Sequence, residues 1–540
     1  MEKKKIWLND VALRESAQVD GGAITPADQD RYVRKLVKGG IDIIEIGFPG
    51  SAKGNPKRCR EIVDVVRGTK THHKPILSGL ARAVEADIDA VKVAGCDMVH
   101  IYIPVSDELM LAQFDAEKYG DSPEGKRQWV IDTAVDMVRY ARSIGFHHVQ
   151  FSPEDAARAG KEFICKIVEA VITAGATSVN LPDTTGLRIL NEFGDFIAYV
   201  FAHVSNIHKA RIACHCHNDS DHSTTNALQG IIHGITEVQG TFYGLGERSG
   251  MTKFESVIMN MHTRQDIFGG YNIRFDPAIV VEIVHMIANC LGMPVPRHWV
   301  VVGDQNGICS SGTHQAIEEK AKQNGTTVSP YYSWDPKKYG HTGVKTVVTQ
   351  FSGKEGIMTK LKELGFVVKK EQLAEIMVEI KRISEGRRGT SLSDREVVAV
   401  VTDVIKEVPC SIVIDRSTIV SGKGTIPTAS VIASLHGKKV AAVRTGNGPV
   451  SAAFDAVVAI AKEFFPQLQE YTISQEYWRP VQVTKGDEAL GDVYVQLKMT
   501  HDTIPGREHI HSGHAVHEDS NHATAQAIAN AISWMVASIQ

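Results

Sequence analysis

The run Arg211-Ile-Ala-Cys-His-Cys-His-Asn-Asp219 reads as a β-strand that ends in two histidines. Successive side chains on a strand alternate faces, so His215 and His217 point the same way, and Cys214 and Cys216 point the other. Two neutral imidazoles on one face suit a single divalent ion. From this run alone, a pair of histidines hydrogen-bonded in a polar core fits equally well. A second cluster, Asp10-Val-Ala-Leu-Arg-Glu15, follows an earlier strand and supplies a carboxylate and a guanidinium. A carboxylate with two imidazoles makes a three-ligand site with open positions, the form that lets a metal hold substrate. Arg14 carries a permanent charge suited to an oxyanion.

Working outward, short β-branched runs recur at Ile6–Asn9, Ile41–Ile46, Pro75–Leu80, Met98–Ile103, His148–Phe151, Ser178–Leu181, Ile212–His217 and Val238–Tyr243. Amphipathic helical stretches lie between them. In Ala27–Lys38, the residues Tyr32, Val33, Leu36 and Val37 fall at helical spacing, and Phe163–Thr173 is similar. Eight strands alternating with helices predict an α/β fold, a (β/α)8 TIM barrel. The longest connection, after the fourth strand, carries the loop signature Gly120-Asp-Ser-Pro-Glu-Gly125. Active sites of this fold lie at the C-terminal ends of the strands. The polar residues there are Asp10, Arg14, Glu15, Gln18, Ser106, Glu154, Asp183, Thr184, His215, His217 and Glu247, and they are expected to converge on one mouth.

The expected organisation is a barrel over 1–275, helical linker subdomains over 276–408, and a C-terminal α+β regulatory domain over 409–540. In the last, Ser411–Val413, Thr428–Leu435 and Lys439–Thr445 precede the helix Ser451–Phe464; Asp492–Met499 and Glu508–His514 then precede Asn521–Ile539. This is a weak internal repeat of strands followed by one helix. Gly446-Asn-Gly448 lacks the third glycine of a dinucleotide fingerprint, where Ser451 stands. His501, His509, His511, His514, His517 and His522 read as solvated or interface histidines. With 43% hydrophobic and 23% charged residues and a net charge of −4, the chain reads as a soluble globular protein, and no nucleic-acid or membrane partner is expected. No secretion signal or spanning segment is visible, and eight scattered cysteines read as reduced thiols, so a cytoplasmic location is expected.

The motifs, taken in order, resemble the 2-isopropylmalate synthase group of metal-dependent acyl-CoA condensing barrels, which includes citramalate and homocitrate synthases. They are Asp10-Val-Ala-Leu-Arg-Glu-Ser-Ala-Gln18, Phe151-Ser-Pro-Glu-Asp155, Asn180-Leu-Pro-Asp-Thr184, His215-Cys-His-Asn-Asp219, Gly244-Leu-Gly-Glu-Arg248, Ser311-Gly-Thr-His-Gln315 and Pro330-Tyr-Tyr-Ser-Trp-Asp-Pro336. Gly446-Asn-Gly-Pro-Val450 and Gly491-Asp-Val-Tyr494 resemble the group's allosteric domain.

The resemblance implies condensation of acetyl-CoA with a 2-oxo acid, foremost 2-oxoisovalerate, giving 2-isopropylmalate. It implies a divalent ion (Mg²⁺, Mn²⁺ or Zn²⁺) held by Glu15, His215 and His217. It also implies Arg14 on the developing alkoxide, Gln18, Ser152 and Thr184 in substrate binding, and Glu154, His314 and Tyr331 as proton-transfer candidates. His314 and Tyr331 would come from the partner subunit of a homodimer, and an amino acid such as leucine would be the effector. Pyruvate, 2-oxoglutarate and oxaloacetate are the alternative acceptors; a lyase and a non-catalytic effector-binding homologue are the alternative roles. The chain departs from the group at Glu15, where malate-forming members often have Asp, and at Ser16, a common Gly. Met251 stands where the group often has Asn, and Leu109 stands in place of a His.

Overall fold

The computed structural model describes all residues except 1–2, 23, 53–54, 116–121, 327–328, 342–344, 350, 365, 367, 386–390, 393, 406–411, 483–490, 504–507 and 540. The chain forms two compact units, Met1–Gly307 with Tyr332–Val344, and Ile308–Tyr331 with Lys345–Gln540.

The first unit is a closed parallel barrel of eight strands paired in chain order. They are β1 (Trp7–Asp10), β2 (Ile43–Glu45), β3 (Ile76–Arg82), β4 (Met98–Pro104), β5 (His148–Glu154), β6 (Ser178–Asp183), β7 (Arg211–Cys216) and β8 (Glu237–Gly240). The last pairs back onto the first, Trp7 opposite Glu237 and Asp10 opposite Gly240. All eight expected strands are present, with ends shifted by a few residues. His217 falls just past β7, in an isolated bridge to Met251.

Helices α1 (Pro26–Gly39), α2 (Asn55–Gly68), α3 (Glu85–Ala94), α4 (Pro123–Ser143), α5 (Lys161–Ala174), α6 (Glu192–His203), α7 (Ser223–Ile232) and α8 (Phe254–Thr263) cover the barrel. In α1 the Thr25 side chain caps the first turn by accepting from the Asp28 amide, and Gly40 ends the helix at φ 84°. The cap is worth ~1 kcal/mol. Tyr32, Val33, Leu36 and Val37 are all buried, and each contributes roughly 1.5–3 kcal/mol. The apolar face, more than the cap, holds this helix on the barrel. Cys214 and Cys216 lie in the apolar layer between strands and helices, facing away from the barrel axis as the alternation predicts. Gly120 and Asp121 of the loop signature lie outside the described residues. Val280–Cys290, from the segment read as linker, packs its apolar face into the barrel's own core.

In the second unit, Lys354–Glu363, Lys370–Glu385 and Asp394–Ile405 share a small core around Ile357, Leu361, Ile376, Ile380 and Val401. A two-residue parallel pair, Ile308–Cys309 with Lys345–Thr346, interrupts the otherwise helical region. Two three-stranded antiparallel sheets follow: β9 (Val413–Val420), β10 (Thr428–Leu435) and β11 (Lys438–Thr445), then β12 (Tyr471–Gln482), β13 (Gly491–His501) and β14 (Glu508–His517). Pro449–Phe464 and Ser520–Ile539 pack on them around one core. The repeat is therefore three strands and a helix, twice. The sequence reading lacks β12, an edge strand that carries Pro480 and a bulge between Gln475 and Tyr477. Both features break the alternation that marks a strand, and both are tolerated at a sheet edge.

The histidines of this unit divide: His517 is exposed, as expected, whereas His501 is not. His501 is buried with its ring edge-on to Tyr471, and His514 stacks on Tyr494. The side chain of His509 lies outside the described residues.

Candidate metal centre and pocket

At the C-terminal end of β1 the chain turns at once into a single helical turn, Ala12–Glu15. The Asp10 carboxylate fixes this turn by accepting from the Ala12 amide at 3.1 Å and from the Tyr32 hydroxyl at 2.7 Å. Arg14 and Glu15 are thereby aimed over the barrel mouth. His215 comes from β7 and His217 from just past its end. A glycine turn after β8 closes the site from the other side. Gly250 sits at φ 87°, and a Cβ there would collide with the Gly244 carbonyl oxygen. Only glycine fits, and the Gly250 carbonyl accepts from His217 Nδ1 at 3.3 Å.

Glu15, His215 and His217 bring one ligand atom each to within 4.8 Å of one another. The two Nε2 atoms are 3.3 Å apart, and His215 Nε2 is 3.6 Å from Glu15 Oε1. Donors that share one ion at the usual ~2.0–2.2 Å sit roughly 3–3.5 Å apart. Both Nδ1 atoms face carbonyl acceptors, Gln239 Oε1 at 3.0 Å for His215 and Gly250 for His217. Each imidazole thus holds its proton on Nδ1 and presents an Nε2 lone pair inward. Two lone pairs facing each other repel unless a cation lies between them. Burial, then the neighbouring His217, drives His215 down to about 3, and burial lowers His217. A bound proton is thus disfavoured, and the residues fit a metal.

Arg14 lies between two carboxylates. Its Nε donates to Glu45 and its Nη1 donates to Glu15 at 2.6 Å. Burial would raise the Glu45 carboxyl, but Arg14 and His100 hold it at about 2. Among the described residues, Nη2 of Arg14 has no protein partner. Burial, reinforced by Asp155, raises Glu154, whereas in Glu15, which lines the same pocket, burial is outweighed by Arg14 and the two histidines and the carboxyl is lowered.

Arg14, Glu15, His100, Glu154, His215 and His217 line one pocket of about 700 Å³ with Gln18, Phe48, Leu80, Tyr102, Ser152, Asn180, Thr184, Gln239 and Glu247. Of the strand-end residues expected at the mouth, Asp10, Ser106 and Asp183 do not line it. Asp10 anchors the first turn. Ser106 caps Asp107–Gln113 through the Leu109 amide. Asp183 accepts from the Leu187 and Arg188 amides. Each holds a loop in place, which a short polar side chain at a strand end does as readily as chemistry. Met251 is fully buried behind His217 and is not among the residues lining the pocket. His314 and Tyr331 lie in the other unit, their rings stacked with centroids 3.8 Å apart.

Three pocket groups were not singled out from sequence. His100 bridges Glu45 Oε2 at 2.6 Å and Ser152 Oγ at 2.7 Å. Asn180 donates to the same Ser152 oxygen at 2.7 Å. Gln239 holds His215. A charge or ring nitrogen inside an apolar strand, as in Ile43-Ile-Glu45 and Val99-His-Ile101, is the available signal.

Residues 5–287 match the HMGL-like family, and residues 391–536 match the LeuA allosteric (dimerisation) domain. The 2-isopropylmalate synthase of Syntrophus aciditrophicus is 33% identical over 98% of this chain and 96% of that protein. That of Dictyoglomus turgidum is 32% identical over 98% of both. Among solved structures, a hydroxymethylglutaryl-CoA lyase from Pseudomonas aeruginosa aligns with 54% of this chain and 95% of its own, at 20% identity and a TM-score of 0.44. Near-full-length likeness at this level, with the barrel and the C-terminal domain matched in order, places the chain in the 2-isopropylmalate synthase family.

Proposed function

We propose that this pocket condenses acetyl-CoA with 2-oxoisovalerate to give 2-isopropylmalate and CoA, the committed step of leucine biosynthesis. The observation that carries the reading is the Glu15–His215–His217 trio beside Arg14 in a pocket walled by Phe48, Leu80 and Tyr102. The trio would hold Mg²⁺, Mn²⁺ or Zn²⁺. When bound there, such an ion would polarise the keto group of the 2-oxo acid.

The protein's own groups do the rest. Thr184 and Gln18 orient the oxo acid's carboxylate. Ser152, held by His100 and Asn180, fixes the floor of the pocket. An acetyl methyl is a very weak acid, so a positioned base is needed. Glu154 is placed to move that proton, with His314 and Tyr331 contributed by the partner subunit of a homodimer. The new carbon–carbon bond forms at the keto carbon, and Arg14 Nη2 faces the oxyanion that develops there. Hydrolysis of the thioester then draws the reaction forward.

The wall chooses among acceptors. Arg14 is the one Lys or Arg among the residues lining the pocket, so the second carboxylate of 2-oxoglutarate or oxaloacetate would be desolvated without a partner. Pyruvate lacks two methyl groups of 2-oxoisovalerate, worth roughly 0.8 kcal/mol each, or about tenfold together. The match of residues 391–536 supports a dimer and an amino-acid effector such as leucine. Among the described residues no helix is long and apolar enough to span a membrane, in keeping with a cytoplasmic enzyme. The test is release of free CoA thiol with each of the four oxo acids, with and without leucine. Release greatest with 2-oxoisovalerate and suppressed by leucine is expected. Preference for another acid overturns the substrate assignment.

A further inference from the structure

Beneath the metal trio, the barrel axis is filled by a polar chain that the chemistry above does not use. His215 Nδ1 meets Gln239 Oε1 at 3.0 Å, Gln239 Nε2 donates to Gln150 Oε1 at 2.8 Å, and Gln150 Nε2 donates to Glu237 Oε1 at 2.8 Å. Gln239, Gln150 and Glu237 are wholly buried. At the lower end, Arg211 Nε donates to Glu237 Oε2 at 2.5 Å and Asn9 Nδ2 donates to Glu237 Oε1 at 2.9 Å.

The chain has one direction. An ionised carboxylate only accepts. Glu237 stays ionised because, although burial opposes it, Arg211 and the amide donors of Gln150 and Asn9 hold its carboxyl down. The Gln150 NH₂ must therefore face Glu237, and it also donates to Ser178 Oγ at 2.8 Å. That turns the Gln150 carbonyl upward. The Gln239 NH₂ must then face down and its carbonyl up. His215 can answer that carbonyl only with Nδ1–H, so its lone pair is on Nε2, inside the metal trio.

We propose that Glu237, Gln150 and Gln239 are positioning residues that fix the tautomer of His215 from the floor of the barrel, and that Glu237 sets the polarity of the whole relay. The proposal rests on the metal-site reading for its purpose. The tautomer itself is read without metal or substrate, so the two fail separately.

The experiment is ¹⁵N NMR of the histidine-labelled, metal-free full-length protein, with the His215 signal identified by its loss in His215→Gln. The expected result is a single Nδ1–H tautomer. Glu237→Gln supplies a donor where only an acceptor stood, so the relay reverses in part. His215 should then show both tautomers, and the Mn²⁺ dissociation constant should rise about 10–100-fold. Asn9→Ala removes a donor to Glu237 but leaves the relay intact. It should lower the melting temperature and leave Mn²⁺ affinity and the His215 signal unchanged. Should Glu237→Gln not fold, the wild-type spectrum alone decides. An Nε2–H or mixed tautomer in the wild type overturns the proposal, as does a folded Glu237→Gln protein with wild-type tautomer and Mn²⁺ affinity.

Discussion

Nε2 of His215 and Nε2 of His217 face each other at 3.3 Å, and each ring turns its Nδ1 toward a carbonyl oxygen on the far side. With both lone pairs turned inward, such a pairing is unfavourable unless a cation lies between them. Metal binding at this site is therefore expected to stabilise the fold. Thermal unfolding of chelator-treated protein should shift upward with added Mn²⁺ or Zn²⁺, by RT ln(1 + [L]/Kd), about 2.7 kcal/mol at a hundredfold excess over Kd. His217→Ala should remove the shift while leaving a folded protein.

Arg14 neutralises two buried carboxylates, Glu15 and Glu45, and is also the group proposed to face the reacting oxygen. Arg14→Ala should lower turnover about 10²–10³-fold. It should also cost about 3 kcal/mol or more of stability, because Glu45 and Glu15 remain buried without it. Steady-state kinetics and urea unfolding read the two effects. Arg14→Lys should recover more stability than turnover, since an ammonium cannot serve Glu45, Glu15 and substrate through one planar fork.

Two buried carboxyls give stability a pH dependence with opposite signs. Glu45 is held at about 2, below its ordinary 4.5. Its contribution is full above about pH 4.5 and is lost as pH falls toward about 2. Burial pushes Asp10 the other way, up to about 7 from 3.8, against the bonds from Tyr32 and Ala12. Its contribution is full below about pH 3.8 and is lost as pH rises through about 7. Asp10→Asn keeps an acceptor for the Ala12 amide. Urea unfolding between about pH 3 and pH 8 should show that this substitution flattens the decline toward neutrality and leaves the acid limb in place.

The apolar wall is predicted to select the acceptor. Leu80→Ala opens space beside Phe48 and Tyr102. The kcat/KM ratio of 2-oxoisovalerate to pyruvate should fall about tenfold, since pyruvate has no branched chain for Leu80 to pack against. An unchanged ratio would place the branched chain elsewhere.

The barrel and its mouth were legible because alternation and strand ends are local signals. His215 and His217 follow from alternation along a strand, and Arg14 and Glu15 from their place just after the first strand. Glu45, His100 and Gln239 were not legible, because their partners come from other strands and are fixed only when the barrel closes. Asp10, Ser106 and Asp183 show the converse error. A polar residue at a strand end looks the same in sequence whether it meets substrate or a backbone amide. β12 was hidden by Pro480 and by the bulge that shifts its register after Gln475.

The most direct measurement is CoA thiol release from acetyl-CoA and 2-oxoisovalerate by chelator-treated protein, before and after adding Mg²⁺ or Mn²⁺. No release before and turnover after is the expected result. Release that is independent of metal, or none in either state, would contradict a metal-dependent condensation at Glu15, His215 and His217.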